Sequence, residues 1–181
     1  DPADRTAFKA LWPVGKFPLL RDDARDRTVP ESTVIIEYLD AHYPGRTKLI
    51  PADPGRARQV RLVDRFIDLH IHLQMQKVMG DRLRPADKKD PYGVDEARAQ
   101  IATALGVLDR DMAGKTWAMG DEFTLADCAA APALFYANMV QPFGDSHENV
   151  AAYLQRLMKR PSYARALKEA EPYFKMVPQE R

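Results

Sequence analysis

The chain has two strand-like runs, and they lie next to each other near its N-terminus. The first covers residues 16–21 and the second residues 25–29, with the turn signal Asp22-Asp23-Ala24 between them. This arrangement predicts a small β-hairpin. Because an isolated two-stranded hairpin is at best marginally stable in water, this one needs further structure packed against it. Either the hairpin covers a larger structure, or a strand–helix–strand portion of the same sheet precedes residue 1, and we expect the second.

Helical patterns flank the hairpin. One helix is predicted from Asp1, as its cap, to the stop at Pro13, and another from Glu31 to the break at Pro44-Gly45. Several Pro and Gly residues then indicate a linker. The predicted organisation is a mixed N-terminal domain in residues 1–44, a linker in 45–55 and an all-helical domain in 56–181.

The first helix of the second domain, residues 56–80, carries two apolar stripes side by side. One consists of Leu62, Phe66, Leu69 and Leu73, and the other of Val63, Ile67, Ile71 and Met75. This face is wider than one core contact requires. It predicts either a helix buried on two sides or one stripe that faces a ligand cavity or another subunit.

Further helices are predicted along the rest of the chain. The first lies between the loop that ends at Pro91-Tyr92-Gly93 and the break at Gly114, and its apolar face is Ile101, Leu105, Leu108 and Met112. The others begin at Thr124 or cover residues 149–158 and 162–170. The Thr124-Leu125-Ala126-Asp127 segment has the capping-box pattern, in which the hydroxyl and the carboxylate each bond a backbone amide at the helix start.

Charge and cysteine content exclude several classes of protein. The 27 Lys and Arg residues balance 26 Asp and Glu residues, so the net charge is 27 − 26 = +1, and no basic stripe suggests binding to nucleic acid or a membrane surface. A single Cys cannot form an internal disulfide, and no signal peptide or membrane span is visible. We expect a cytoplasmic protein.

The sequence indicates neither a metal-binding site nor a set of residues for covalent catalysis. His70 and His72 are two positions apart, so they do not share a helix face, and His42 and His147 have no cluster of ligands near them in sequence. Cys128 lies one turn into a predicted helix, where a lowered thiol pKa is possible. Its Ala-rich neighbourhood favours a small buried core residue instead.

A ligand site is predicted where the hairpin meets the second helix. Free amides at a helix N-terminus attract a carboxylate or phosphate, Ser32 adds a hydroxyl, and Glu31 can bind an ammonium group. On these residues alone, helix capping by Glu31 and Ser32 is the better explanation of the pattern. The Gly-Lys-Phe-Pro turn adds Phe17-Pro18, where a cis peptide would leave the Phe17 backbone free to pair with a peptide-like ligand.

Three segments together resemble the glutathione S-transferase family. Residues 12–20, WPVGKFPLL, resemble the family's turn into its third strand with a cis proline. Residues 29–39, VPESTVIIEYL, resemble its Glu-Ser helix, and residues 117–127, WAMGDEFTLAD, its capping-box segment. In order and spacing these segments cover nearly the whole chain.

The resemblance implies a thioredoxin-like α/β N-terminal domain, incomplete here, joined to an all-helical C-terminal domain, usually as a homodimer. It implies that Glu31 and Ser32 hold the γ-glutamyl end of glutathione, that the Phe17 backbone pairs with its cysteinyl part beside cis-Pro18, and that Lys16 reaches the glycine end. Thr124 and Asp127 belong to a folding motif.

The implied activity is a detoxifying glutathione transferase without a metal. Glutathione is the co-substrate, and its thiolate attacks a small hydrophobic electrophile. In this family the Ser, Tyr or Cys that engages the sulfur follows the first strand, so we expect the catalytic residue to lie before residue 1. A Cys there would instead favour glutathione-dependent thiol–disulfide exchange. A non-catalytic interaction protein with the same fold is the third alternative.

Overall fold

A computed structural model describes residues 2–179 of the chain. The N-terminal part contains α1 (Pro2–Leu11), β1 (Leu19–Asp22), β2 (Arg27–Pro30) and α2 (Ser32–His42). The two strands pair antiparallel, with Leu19 opposite Pro30 and Asp22 opposite Arg27. The predicted hairpin between two helices is therefore confirmed, whereas the predicted cap at Asp1 lies outside the described residues.

Everything that follows is helical. The helices are α3 (Pro54–Ile67), α4 (Leu73–Arg82), α5 (Pro91–Met112), α6 (Leu125–Val140), α7 (Glu148–Lys159) and α8 (Pro161–Ala170), with 3₁₀ turns at Ala86–Lys88 and Glu171–Met176. The predicted class, a small two-stranded α/β part followed by an all-helical part, is confirmed. Among residues 2–179, no helix is both long and apolar enough to cross a membrane.

The single helix predicted over residues 56–80 is wrong in one respect. A π-helical turn, Asp68–His72, separates α3 from α4. A π turn contains one residue more per turn than an α-helix, so it rotates the side chains that follow it relative to those before it, and such turns are frequent at functional sites.

The two apolar stripes of this helical run differ in burial. Ile67 and Ile71 of the second stripe are fully buried in the core formed with α5 and α6, whereas Leu62 of the first stripe is 60% exposed and Leu73 is 43% exposed. The helix is therefore not buried on both sides within this chain.

Buried carboxylates fix the connections around this core. Asp40 at the end of α2 accepts the amides of Leu49 and Ile50 at 3.0 and 3.2 Å, which anchors the linker. Asp22 at the end of β1 accepts the hydroxyls of Tyr38 and Tyr43, both at 2.8 Å, which ties the hairpin to α2. These bonds hold the pKa of Asp22 below its ordinary value, with the bond from Tyr38 as the largest cause.

The predicted capping box at the start of α6 is confirmed. The Thr124 and Asp127 side chains bond each other's backbone amides. The same carboxylate also accepts the amide of Ala118 at 2.8 Å and the hydroxyl of Tyr153 at 2.6 Å. The capping box thus joins the loop before α6 to α7.

Candidate functional site

The turn before β1 presents free backbone. Gly15 has a φ of 69°, a left-handed conformation that favours glycine, and the Phe17–Pro18 peptide bond, whose isomer the sequence does not determine, is cis. The Phe17 ring is 81% exposed and stacks on Phe8, with 4.3 Å between ring centroids. Within the described part of the chain, neither the amide nor the carbonyl of Phe17 has a hydrogen-bond partner. The backbone is therefore available to a ligand.

The start of α2 is also available. Glu31 precedes the helix with φ 67° and ψ 121°, a sparsely populated conformation for a non-glycine residue that occurs mainly at functional sites. Its side chain makes no capping bond to the helix. The alternative that Glu31 merely caps α2 is therefore wrong, and its exposed carboxylate lies beside the exposed Ser32 and the free amides of the first turn.

One cavity of about 230 Å³ brings all of the sequence-predicted residues together. Its first wall consists of Lys16, Phe17, Pro18, Glu31 and Ser32. We call it the front cavity. The turn before β1 supplies the first three residues and the start of α2 the other two, so the hairpin places two sequence-distant segments against one space.

The opposite wall comes from residues that the sequence analysis missed. Asp68 and His72 of the π-helical turn and Leu73 and Gln76 of α4 complete the front cavity. Asp68, His72 and Gln76 recur at steps of four, so the sequence indicates that they share one side of a helix. The sequence does not indicate that this side faces α2, because its direction depends on the π-helical turn.

The electrostatics of this wall are set by His72. Burial lowers the pKa of its imidazole, and the neighbouring Asp68 opposes this effect only in part. The Nε2 atom of His72 lies 3.0 Å from the Nε2 atom of Gln76. With the Gln76 amide in this orientation its nitrogen donates, so the imidazole accepts at Nε2 and the neutral ring carries its proton on Nδ1. The lowered pKa of His72 favours this neutral imidazole next to the Asp68 side chain.

The described residues of the front cavity include neither a metal-binding cluster nor the Cys128 thiol. Among residues 2–179, no group of three or more His, Cys, Asp or Glu side chains is arranged to hold a metal ion. Cys128 does not line the front cavity, and burial raises the pKa of its thiol to about 11. The interpretation of Cys128 as an inert, largely buried residue agrees with this shift, because the thiolate is the reactive form.

The front cavity is suited to a short, zwitterionic peptide. It combines carboxylates for an ammonium group, a helix N-terminus with a hydroxyl for a carboxylate, a Lys for a second carboxylate, and an exposed backbone edge.

Comparisons with known proteins agree with this geometry. Residues 66–161 match the family model "Glutathione S-transferase, C-terminal domain", and residues 1–47 match "Glutathione S-transferase, N-terminal domain". The chain is 29% identical over 155 residues to Glutathione S-transferase GstB of Escherichia coli K12, covering 86% of this chain and 74% of that protein.

Two further matches bear on function. The chain is 29% identical over 171 residues to a Stringent starvation protein A homolog of Coxiella burnetii, covering 92% of this chain and 76% of that protein. A glutathione S-transferase structure from Methylobacillus flagellatus, solved with GSH bound, superposes with a TM-score of 0.81 at 25% identity, covering 91% of this chain and 82% of the other. With both family models matched along its length, the chain belongs to the glutathione S-transferase family.

Proposed function

We propose that the front cavity binds glutathione and that the protein is a glutathione transferase. The observation that carries this proposal is the convergence of Lys16, Phe17, Pro18, Glu31 and Ser32 on one cavity, with the Glu31 carboxylate free of the helix it precedes. The glutathione S-transferase structure with bound GSH supports it.

The proposed pose follows the chemistry of the two walls. The Glu31 carboxylate binds the γ-glutamyl ammonium group, while Ser32 and the free amides of α2 bind its carboxylate. The Phe17 amide and carbonyl pair with the cysteinyl part as an added strand does, and Lys16 binds the glycine carboxylate.

In the proposed reaction, bound glutathione is the nucleophile. The thiolate attacks a small hydrophobic electrophile, and the protein promotes this by stabilising the thiolate. The group that engages the sulfur stays a prediction for a Ser or Tyr before residue 1. A cytoplasmic location, where glutathione is reduced, and a role in detoxification belong to the same proposal.

A non-catalytic role is the second candidate. The match to a Stringent starvation protein A homolog favours it, because that protein's name describes no transferase activity. Thiol–disulfide exchange requires a Cys at the position before residue 1. Conjugation of glutathione to an aryl halide by the full-length protein distinguishes transfer from the other two functions, and glutathione-dependent reduction of a small disulfide identifies exchange.

We also propose that the exposed stripe mediates homodimer formation. Leu62 and Leu69 are each more than a third exposed although they belong to one apolar stripe. Replacement of Leu62 by Glu is expected to shift sedimentation from dimer to monomer, whereas replacement of the exposed Gln155 of α7 by Glu is not. Monomeric behaviour of the unmodified protein at micromolar concentration would contradict the proposal.

The glutathione site is tested with the double variant Glu31→Ala, Ser32→Ala. Each charge-assisted hydrogen bond contributes about 1.5–3 kcal/mol, so the dissociation constant measured by calorimetry should rise about a hundredfold or more. Asp145 and Ser146, an exposed acid–hydroxyl pair outside the front cavity, provide the matched double Ala control. Unchanged glutathione affinity in a folded Glu31/Ser32 variant would reject the site.

A further inference from the structure

Gln74, in the first turn of α4, is a buried polar residue that folding alone does not explain. It is 5% exposed, and among residues 2–179 it is the one amide side chain that is buried to this extent. Its Oε1 atom is buried and has no hydrogen-bond partner within that part of the chain. Because an unpaired buried polar atom lowers stability, an apolar residue would stabilise the fold better at this position.

The amide nitrogen of Gln74 bonds to the π-helical turn. Its Nε2 atom donates to the carbonyl oxygen of Leu69 at 3.0 Å, and only the nitrogen of the side-chain amide can make this bond. The backbone amide of Leu73 donates to the carbonyl of Asp68, five residues back, which is the hydrogen bond of a π turn. Two successive carbonyls of the turn are therefore bonded to α4, the second of them by a side chain.

The π-helical turn decides which side chains of α4 face the front cavity. α3 packs on α6 and α4 packs mainly on α5, so the two helices are held by different neighbours. A continuous α-helix would lack the extra residue of the turn, and it would rotate the residues that follow by about 100° relative to α3. Leu73 and Gln76 would then turn away from the wall of the front cavity that they line.

Gln74 does not contact the front cavity directly. Of the described residues that line this cavity, His72 and Gln76 lie two positions before and after Gln74, but Gln74 is not one of them. Residues two apart on a helix do not face each other, so the Gln74 side chain lies on another side of the helix. Its effect on a ligand in the front cavity must therefore pass through the backbone of the turn.

We propose that Gln74 is a positioning residue: it holds the π-helical turn in the register that sets Asp68 and His72 against the first wall of the front cavity. The proposal rests on the proposed function in taking glutathione as the ligand, whereas the effect on the turn does not depend on a ligand. In this role Gln74 lowers the stability of the fold and improves the geometry of the site, a combination that occurs at functional sites.

The variant Gln74→Met tests this role, because it keeps the length of the side chain and removes the amide. Calorimetric titration of the full-length protein with glutathione should give a dissociation constant roughly three- to tenfold larger, as the loss of one neutral hydrogen bond predicts. The urea midpoint should stay the same or rise, since the unpaired oxygen is removed as well. Gln155→Met, at an exposed position of α7, is the matched control and should change neither quantity.

NMR titration of His72 reports on the turn in the absence of glutathione. Burial lowers the pKa of this imidazole, and Asp68 acts against that effect. The turn should relax in Gln74→Met and expose His72, so the pKa of His72 should rise toward its ordinary value of about 6.5. The signals of His147, which lies beside Ser146 before α7, should be the same as in the unmodified protein.

An unchanged glutathione affinity or an unchanged His72 titration in a folded Gln74→Met variant would overturn the proposal. A lower urea midpoint with both of these unchanged would assign Gln74 to the stability of the fold only. If Gln74→Met does not fold, Gln74→Leu gives the same test, and failure of both variants to fold would also assign a role in stability only. Failure of the unmodified protein to bind glutathione would reject the proposed function, and the His72 titration would then decide the positioning role by itself.

Discussion

Removal of the Asp127 carboxylate is expected to destabilise the protein strongly. The side chain is fully buried and accepts the amides of Ala118 and Thr124, both at 2.8 Å, and the hydroxyl of Tyr153 at 2.6 Å. The Thr124 hydroxyl also donates to this carboxylate, at 3.2 Å, so in the variant Asp127→Ala four buried donors lose their acceptor. Each unsatisfied donor costs about 1–3 kcal/mol, so the free energy of unfolding should fall by about 4–12 kcal/mol. This is a large part of the roughly 5–15 kcal/mol that stabilises a typical domain.

The conservative variant Tyr153→Phe gives a smaller and separable loss. It removes one donor and leaves the carboxylate bonded to both amides, so we expect a decrease of about 1.5–3 kcal/mol. The measurement is equilibrium urea unfolding, followed by far-UV circular dichroism and by fluorescence, since Trp117 lies next to Ala118. Asp145→Ala, at an exposed carboxylate, is the control and should unfold like the unmodified protein.

The result that would refute this reasoning is specific. If Asp127→Ala unfolded within about 1 kcal/mol of the unmodified protein, the freed donors would have found other partners and the capping box would be dispensable. A loss for Asp127→Ala no larger than that for Tyr153→Phe would show that the hydroxyl alone matters. Either outcome would remove the assigned role of the two amides.

Three further predictions concern charged groups. The hydrogen bonds to Asp22 lower the pKa of its carboxyl in the folded state. They therefore stabilise the protein above the pKa of the unfolded chain, and this stabilisation is lost as the pH falls through the lower folded-state pKa. Asp22→Asn should reduce the loss of stability below about pH 4 in acid titrations followed by circular dichroism. Burial raises the pKa of Asp64, so its ionisation opposes folding at neutral pH; Asp64→Asn should raise the urea midpoint there, and this gain should vanish in acid, where both states are neutral. Arg61 of α3 bonds both carboxylate oxygens of Glu37 of α2 at 2.7 Å, and a double-mutant cycle should give a coupling of about 0.5–1 kcal/mol that decreases with added salt. The first expectation would be contradicted by an unchanged pH profile in Asp22→Asn. The second would be contradicted by a lower urea midpoint of Asp64→Asn at neutral pH, and the third by a coupling between Arg61 and Glu37 that is indistinguishable from zero.

Local signals made much of the fold predictable. Gly15 and Pro18 mark the turn into β1, Pro44 follows the end of α2, and Thr124 with Asp127 marks the start of α6, each through chemistry that acts within four residues. The five front-cavity residues predicted from the sequence belong to two such local segments. Their assignment to one ligand is implied by the resemblance to the glutathione S-transferase family, because the residues alone favour helix capping at Glu31 and Ser32 and give Lys16 no role.

Features that depend on distant packing were not predictable. The two stripes of residues 56–80 have similar apolar periodicity, and periodicity specifies which residues share a face but not which face is covered. Only the position of α6 decides that Ile67 is buried and Leu62 is exposed. No local sequence signal marks the π-helical turn, so the position of Asp68 and His72 in the front cavity was not predicted.

The buried acids of this protein differ in how fully their carboxylates are hydrogen-bonded. Of the four buried carboxylates among residues 2–179, Asp22, Asp40 and Asp127 each accept at least two hydrogen bonds and anchor a turn, a linker or a helix start. Asp64 accepts one, from Thr33, and anchors no loop. The second oxygen of Asp64 is not among the buried side-chain atoms without a partner, so it keeps contact with solvent. Solvent can therefore supply the hydrogen bonds that the protein does not, and one bond from Thr33 is sufficient at this position, whereas the other three acids depend on bonds within the protein.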